Sequence, residues 1–189
     1  MLEMDEFDRK DVEAVLAGDE EAFERLFVRH NQAVAKQMRN FAKNPDAAEE
    51  LCHDVFVEAY LSLGKFRGEA PFRHWLARIA TLTGYKYWRV RGKEKRNLPL
   101  PADQPAPEVT ERDPAAAADL LFDLLALLPA ADRLLLTLMY LEHLGQDEIA
   151  SRIGATRVMV AVRIFRAKKK LKAIGEKEPW KGRIAWILS

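Results

Sequence analysis

The chain has a single cysteine, Cys52, among its 189 residues, so no intramolecular disulfide can form and a disulfide-stapled secreted scaffold is excluded. Long apolar runs are missing too. None approaches the ~18 residues that a membrane span needs, and the first residues are acidic rather than basic and then apolar, unlike a secretory leader. A reducing, cytoplasmic setting without membrane insertion is the expectation. No HExxH, CxxC pair or glycine-rich phosphate loop occurs, and His30, His53, His74 and His143 are scattered. That pattern offers no metal site, no cofactor and no catalytic constellation, so no enzyme is expected. Cys52 and His53, adjacent on a helix, cannot point the same way as a ligand pair. Alternating β-branched stretches bounded by turn signals are also absent, which leaves an all-α chain. The formal net charge is only +1, so it is the distribution of charge that carries information.

Proline supplies the punctuation. Pro99, Pro101, Pro105, Pro107 and Pro114 fall in a stretch without apolar periodicity, which reads as an extended, partly polyproline-like linker over 97–117. The linker separates two small helical domains, 1–96 and 118–176, that are not copies of one another. An apolar tail, 177–189, follows. It carries Trp180, Ile184, Trp186, Ile187 and Leu188 and is expected to pack on the second domain, where an outer apolar patch of Val158, Val162 and Phe165 is either its dock or that of an inhibitory partner. At the other end Glu3, Asp5, Glu6, Asp8, Asp11 and Glu13 form an acidic cluster that reads as a solvated or partner-facing patch.

In the first domain, the entry GDEEAF offers Asp19 as a cap, and Phe23, Phe27, Val34, Met38 and Phe41 are assigned to one helical face. Asn44-Pro45 breaks the helix. Asp46, three residues before Glu49, makes a capping-box arrangement at the start of DAAEELCHDVFVEAYLSL, with Leu51, Val55 and Ala59 inward and Glu50, Asp54 and Glu58 outward. That acidic face is available to a partner. A loop, GKFRGEAP, leads into FRHWLARIATLTGYKYWRVRGKEKR, a helix with Phe72, Trp75, Leu76 and Ile79 on its inner face. Its outer half mixes Arg78, Lys86, Arg89, Arg91, Lys93, Lys95 and Arg96 with Tyr85, Tyr87 and Trp88. Cations beside rings that can stack on exposed bases are what single-stranded nucleic acid binding requires. Trp75 reads as structural, whereas Tyr85 and Trp88 lie among charges and are the candidates for contact.

Residues 145–172, GQDEIASRIGATRVMVAVRIFRAKKKLK, read as a helix, a glycine turn at Gly154 and a second helix capped by Thr156, which is the layout of a helix-turn-helix. Ile149 and Ile153 lie one turn apart, and Ala150 is small enough for a second helix to cross close behind it. Val160, Ile164 and Leu171 keep an apolar stripe against the first helix. Arg163, Arg166, Lys168, Lys169, Lys170 and Lys172 follow without an acid among them, a run that also suits a helix C-terminus.

The strings AFERLFVRH, DAAEELCHDVFVEAY, PFRHWLARIA, DEIASRIG and RIFRAKKKL, in this order and divided by the proline-rich linker, resemble the extracytoplasmic-function sigma factors of bacteria. The resemblance covers about 20–175. It implies that Glu50, Leu51, His53, Asp54, Phe56 and Glu58 contact core RNA polymerase. It also implies that the 65–71 loop, with Lys65, Phe66 and Arg67, pockets a flipped base of the minus-ten element. Arg78, Tyr85, Lys86, Trp88 and Arg89 would line the melted strand or its upstream duplex. Thr156, Arg157, Arg163, Arg166, Lys169 and Lys170 would meet the duplex minus-thirty-five element. Promoter DNA, duplex and melted, and an anti-sigma factor are the implied partners besides the polymerase. Departures are His53, where glutamine is usual, Leu82 and Lys86, where asparagine and aspartate are frequent, and Val158, Met159, Ala161 and Val162, where glycine, threonine, lysine and serine are common. An outer face of Val158, Val162 and Phe165 is poor for reading base edges beyond thymine methyls. The alternative reading is a helix-turn-helix regulator that does not act as a sigma subunit.

Overall fold

A computed structural model describes residues 2–95 and 114–177, with side chains described over 6–92 and 118–177. Among the described residues there are eight α-helices and no strand: α1 Leu2–Leu16, α2 Glu20–Arg39, α3 Pro45–Ser62, α4 Phe72–Lys95, α5 Pro114–Ala126, α6 Ala130–Tyr140, α7 Gln146–Ile153 and α8 Arg157–Gly175. A 3-10 turn, Leu63–Lys65, follows α3. The chain divides into two compact units, 1–87 and 88–189, so the division falls inside α4, ahead of residue 96. Of the expected linker, 97–113 lies outside the described residues. Its end, 114–117, is the first turn of α5, because proline suits the start of a helix and the alanines after it extend one. The tail from 178 onward also lies outside the described residues.

In the first unit Asp19 caps α2, its carboxylate accepting from the Ala22 N–H at 3.3 Å. The buried row of α2 is Ala22, Leu26, His30, Val34 and Met38. Val34, Met38 and Phe41 are buried as expected, and only the first half of the face shifts by one position, with Ala22 and Leu26 inward in place of Phe23 and Phe27. Phe27 is 39 % exposed and lays its ring against Phe56 at 4.7 Å, so its apolar area is shielded at the rim rather than sunk in the core. At α3 the cap is Asn44, which accepts from the Asp46 N–H at 2.8 Å and the Ala47 N–H at 3.3 Å, with Pro45 in the first turn. Asp46 therefore lies inside the helix instead of capping it. Leu51, Val55 and Ala59 are buried as the periodicity predicts, and so are Phe72, Leu76, Ile79 and Ala80 of α4.

Of the N-terminal acids, Glu6 and Glu13 are exposed as expected, Glu3 and Asp5 lie outside the described side chains, and Asp8 and Asp11 depart from a solvated patch. Asp8 and Asp11 are buried between α1 and α2. Asp8 accepts from Arg29 Nε at 3.0 Å and pairs with His30 Nε2 at 2.9 Å, while Asp11 accepts from Arg25 Nε at 2.8 Å and from the second arm of Arg29. Burial opposes the charge on Asp11, but the hydrogen bonds from Arg29 and Arg25 outweigh it and hold the carboxyl below its ordinary value.

In the second unit Leu120, Leu124 and Leu125 of α5, Leu134, Leu135, Leu136 and Leu138 of α6, Ile149 and Ala150 of α7, and Val160, Ile164, Ala167 and Leu171 of α8 make the core. Gly154 closes α7 at φ 69° and ψ 41°, a left-handed conformation that suits glycine and turns the chain tightly. Thr156 then caps α8, accepting from the Met159 N–H at 3.3 Å. Arg152 of α7 pairs with Glu142 in the preceding turn at 3.2 Å, both side chains largely buried, which ties the first helix of the motif to the end of α6.

Candidate polymerase and promoter surfaces

The outward row of α3 carries Glu50, His53, Asp54 and Glu58, all exposed. Glu50, Asp54 and Glu58 stand four residues apart, one helical turn each, and make a continuous anionic strip. Leu51 and Phe56, expected to contact a partner, are buried, and the Phe56 ring packs against Phe23 and Phe27 of α2. The same outward row contains Val57, Tyr60 and Leu61, the last 74 % exposed. Sequence reading passed over these three, although apolar residues on a row defined by carboxylates were a legible sign of a contact surface. Beside the strip, Phe27, Asn31, Ala35 and Arg39 of α2 and Pro45, Ala48, Glu49, Cys52 and His53 of α3 line a groove of about 510 Å³. Burial, with the nearby Glu49 carboxylate, pushes the Cys52 thiol above its ordinary value, which disfavours the reactive thiolate.

The second group lies around the turn between α3 and α4. Lys65 and Arg67 are exposed, and Arg67 is 3.9 Å from Glu69. Phe66 is half-buried, edge-on to Phe72 at 5.7 Å and tilted against Trp75 at 5.4 Å, so the rings anchor the loop and Trp75 is structural as expected. Along α4, Arg78, Lys86 and Arg89 are exposed and Tyr85 is half-buried. Trp88 departs from the expectation of an open stacking platform. It is 6 % exposed, within the second unit, and the Arg133 guanidinium lies 3.9 Å from its ring centroid, covering the face that a base would use.

On α8, Thr156 is occupied as the cap, so its hydroxyl already serves the helix. Arg157 is exposed and 3.5 Å from Asp147, and Arg163, Arg166 and Lys169 are exposed. Lys170, assigned to the duplex, is paired with Asp132 of α6 at 2.5 Å, which places it on the flank that joins the helices rather than on the outer face. Among the described residues no group of three or more His, Cys, Asp or Glu side chains could hold a metal ion, and no helix is long and apolar enough to cross a membrane.

Comparison with known proteins accounts for both units. Residues 26–94 match the family Sigma-70 region 2, and residues 118–171 match Sigma-70, region 4. The chain is 30 % identical over 173 residues to the ECF RNA polymerase sigma-E factor of Haemophilus influenzae, covering 85 % of this chain and 90 % of that protein. It is 28 % identical over 178 residues to the RNA polymerase sigma-H factor of Pseudomonas aeruginosa, covering 88 % of this chain and 92 % of that protein. Among solved structures, CnrH in complex with the cytosolic domain of CnrY superposes with a TM-score of 0.60 at 25 % identity, over 91 % of this chain and 99 % of that one. The sigma factor RpoE of Bartonella quintana, solved with the anti-sigma factor NepR, shares the fold with a TM-score of 0.56 at 19 % identity, over 82 % of this chain and 98 % of that one. The two region matches in this order, and full-length relatives bearing the same name, mean that the chain belongs to the extracytoplasmic-function sigma factors of the sigma-70 family.

Proposed function

We infer that this protein is an alternative sigma factor that binds core RNA polymerase in the cytoplasm and directs initiation at a specific set of promoters. It contributes binding and no catalytic step. Residues 1–96 act as region 2 and 118–176 as region 4, joined through 97–117. The exposed strip of Glu50, His53, Asp54 and Glu58 meets the polymerase. Lys65, Arg67, Arg78, Tyr85, Lys86 and Arg89 attend the melted minus-ten element, and Arg157, Arg163, Arg166 and Lys169 attend the duplex upstream. The observation that carries this reading is the order of the two family matches, region 2 at 26–94 followed by region 4 at 118–171. A helix-turn-helix regulator would not carry an acidic strip and a basic aromatic helix in a separate unit ahead of its DNA-reading motif. The similarity to CnrH, solved with the cytosolic domain of CnrY, and to the sigma factor RpoE, solved with the anti-sigma factor NepR, supports control by an anti-sigma factor. The test is transcription in vitro: core polymerase plus the purified chain should initiate at defined start sites on genomic fragments. Core polymerase that starts no better with the chain than without it would overturn the reading.

A further inference from the structure

The outward row of α8 changes character halfway along. Val158, Val162 and Phe165 occupy its first part and Lys169 and Lys172 continue it, at spacings of four, three, four and three residues. Those spacings keep all five within roughly 80° of arc on a helix of 3.6 residues per turn. Val158 is 73 % and Phe165 71 % exposed, although Val160, Ile164, Ala167 and Leu171 already complete the core on the opposite side. Among the described residues no core position uses these apolar groups. Nor does α8 contain any acid, and Arg163 and Arg166 flank the row, both exposed. A surface that is apolar in its first turns and cationic around and after them fits an anionic partner that itself presents small apolar groups. Duplex DNA does so at one place, the C5-methyl of thymine in the major groove.

We propose that α8 selects its duplex through thymine methyl groups, with Val158, Val162 and Phe165 as the specificity-determining residues and Lys169 and Lys172 on the phosphates. The proposal rests on the reading of α8 as the promoter-recognition helix. The cap at Thr156 puts Val158 in the first turn, and residues near the start of a recognition helix are the ones that reach base edges. None of the three side chains has a donor or acceptor, so none can read guanine or adenine by bidentate hydrogen bonding. Apolar contact with a methyl is the discrimination open to them, and one buried methyl is worth about fourfold in affinity.

The experiment uses the full chain assembled with core polymerase. Upstream elements are selected from a duplex pool randomised at that region, and the winner is remade with deoxyuridine in place of thymidine, which removes the methyl and leaves pairing intact. Thymines should be enriched, and affinity should fall about fourfold for each methyl contacted. Val158→Ala, Val162→Ala and Phe165→Ala together should weaken binding to the thymidine duplex and leave the deoxyuridine duplex unchanged, erasing the ratio between them. Equal affinity for the two duplexes, or a ratio that survives the triple substitution, overturns the proposal while leaving α8 as a DNA-reading helix. The separate failure of the underlying reading would show as affinity for the selected element that does not change with Arg163→Glu and Lys169→Glu.

Discussion

A Cβ built on Gly84 lies 2.2 Å from Cδ1 of Phe41, so α4 passes the Phe41 ring at a distance that only glycine allows. Glycine inside a helix ordinarily costs about 0.5–1 kcal/mol relative to alanine. Here the sign reverses, because Phe41 is among the fully buried side chains and its ring has nowhere to retreat. Overpacking of this kind costs about 1–3 kcal/mol, more than the propensity gain. Gly84→Ala should therefore lower the urea midpoint measured by circular dichroism, and adding Phe41→Leu should restore part of the loss. A midpoint at or above the parent's would mean that the ring yields freely.

Much of this architecture was legible, and the misses share a cause. The inner row of α3 is legible because Glu50, Asp54 and Glu58 mark the side opposite Leu51, Val55 and Ala59, and that of α8 because Val160, Ile164, Ala167 and Leu171 share one arc, although its outer row is apolar too. On α2 the eye is drawn to Phe23 and Phe27, the largest apolar residues, whereas the buried row runs through Leu26 and a histidine. His30 earned its place there by pairing with Asp8, a residue 22 positions away. Such pairings leave no local trace, which is why Asp8 and Asp11 read as solvent-facing acids. The burial of Trp88 is hidden for the same reason: its neighbours in sequence are charged, but the group on its ring is Arg133. Leu51 and Phe56 were assigned to the partner along with their acidic neighbours, although helical period alone places them inward.

The clasp between α1 and α2 should weaken in acid. Because the Asp11 carboxyl is held below its ordinary value in the folded chain, its contribution is complete above the unfolded-state pKa, about 3.9, and is lost as pH falls through the lower folded value. Asp11→Asn should cost about 1–3 kcal/mol at pH 7, where it breaks charged hydrogen bonds to Arg25 and Arg29. The gap between the denaturation midpoints of parent and variant should close as pH drops below the ordinary carboxylate range. A gap that is constant from pH 7 to pH 3 would contradict the ion-pair account.

Polymerase affinity should depend on the α3 strip by charge and by apolar contact separately. Asp54→Lys exchanges attraction for repulsion at an exposed position, worth about 1–2 kcal/mol, or roughly five- to thirtyfold in Kd. Its effect should shrink at high salt, where exposed charges are screened. Leu61→Ala should weaken the holoenzyme with no such salt dependence. Fluorescence titration against core enzyme at two ionic strengths separates the terms, and the assignment of α3 fails if neither variant changes the affinity.

Tyr85 and Trp88, three residues apart on α4, should respond in opposite ways to replacement by alanine. Tyr85 is half-buried beside exposed Lys86 and Arg89, and stacking on one unpaired base contributes about 1–3 kcal/mol. Tyr85→Ala should leave thermal stability near the parent's and reduce the permanganate reactivity of thymines in the open complex. Trp88 is buried under the Arg133 guanidinium, so Trp88→Ala should cost about 3 kcal/mol of stability by leaving a cavity and removing the cation–π contact. Thermal melting and footprinting on the same preparations give both readings. If Trp88→Ala melts at the parent's temperature yet abolishes thymine reactivity, the indole is a stacking platform after all and Arg133 merely rests on it.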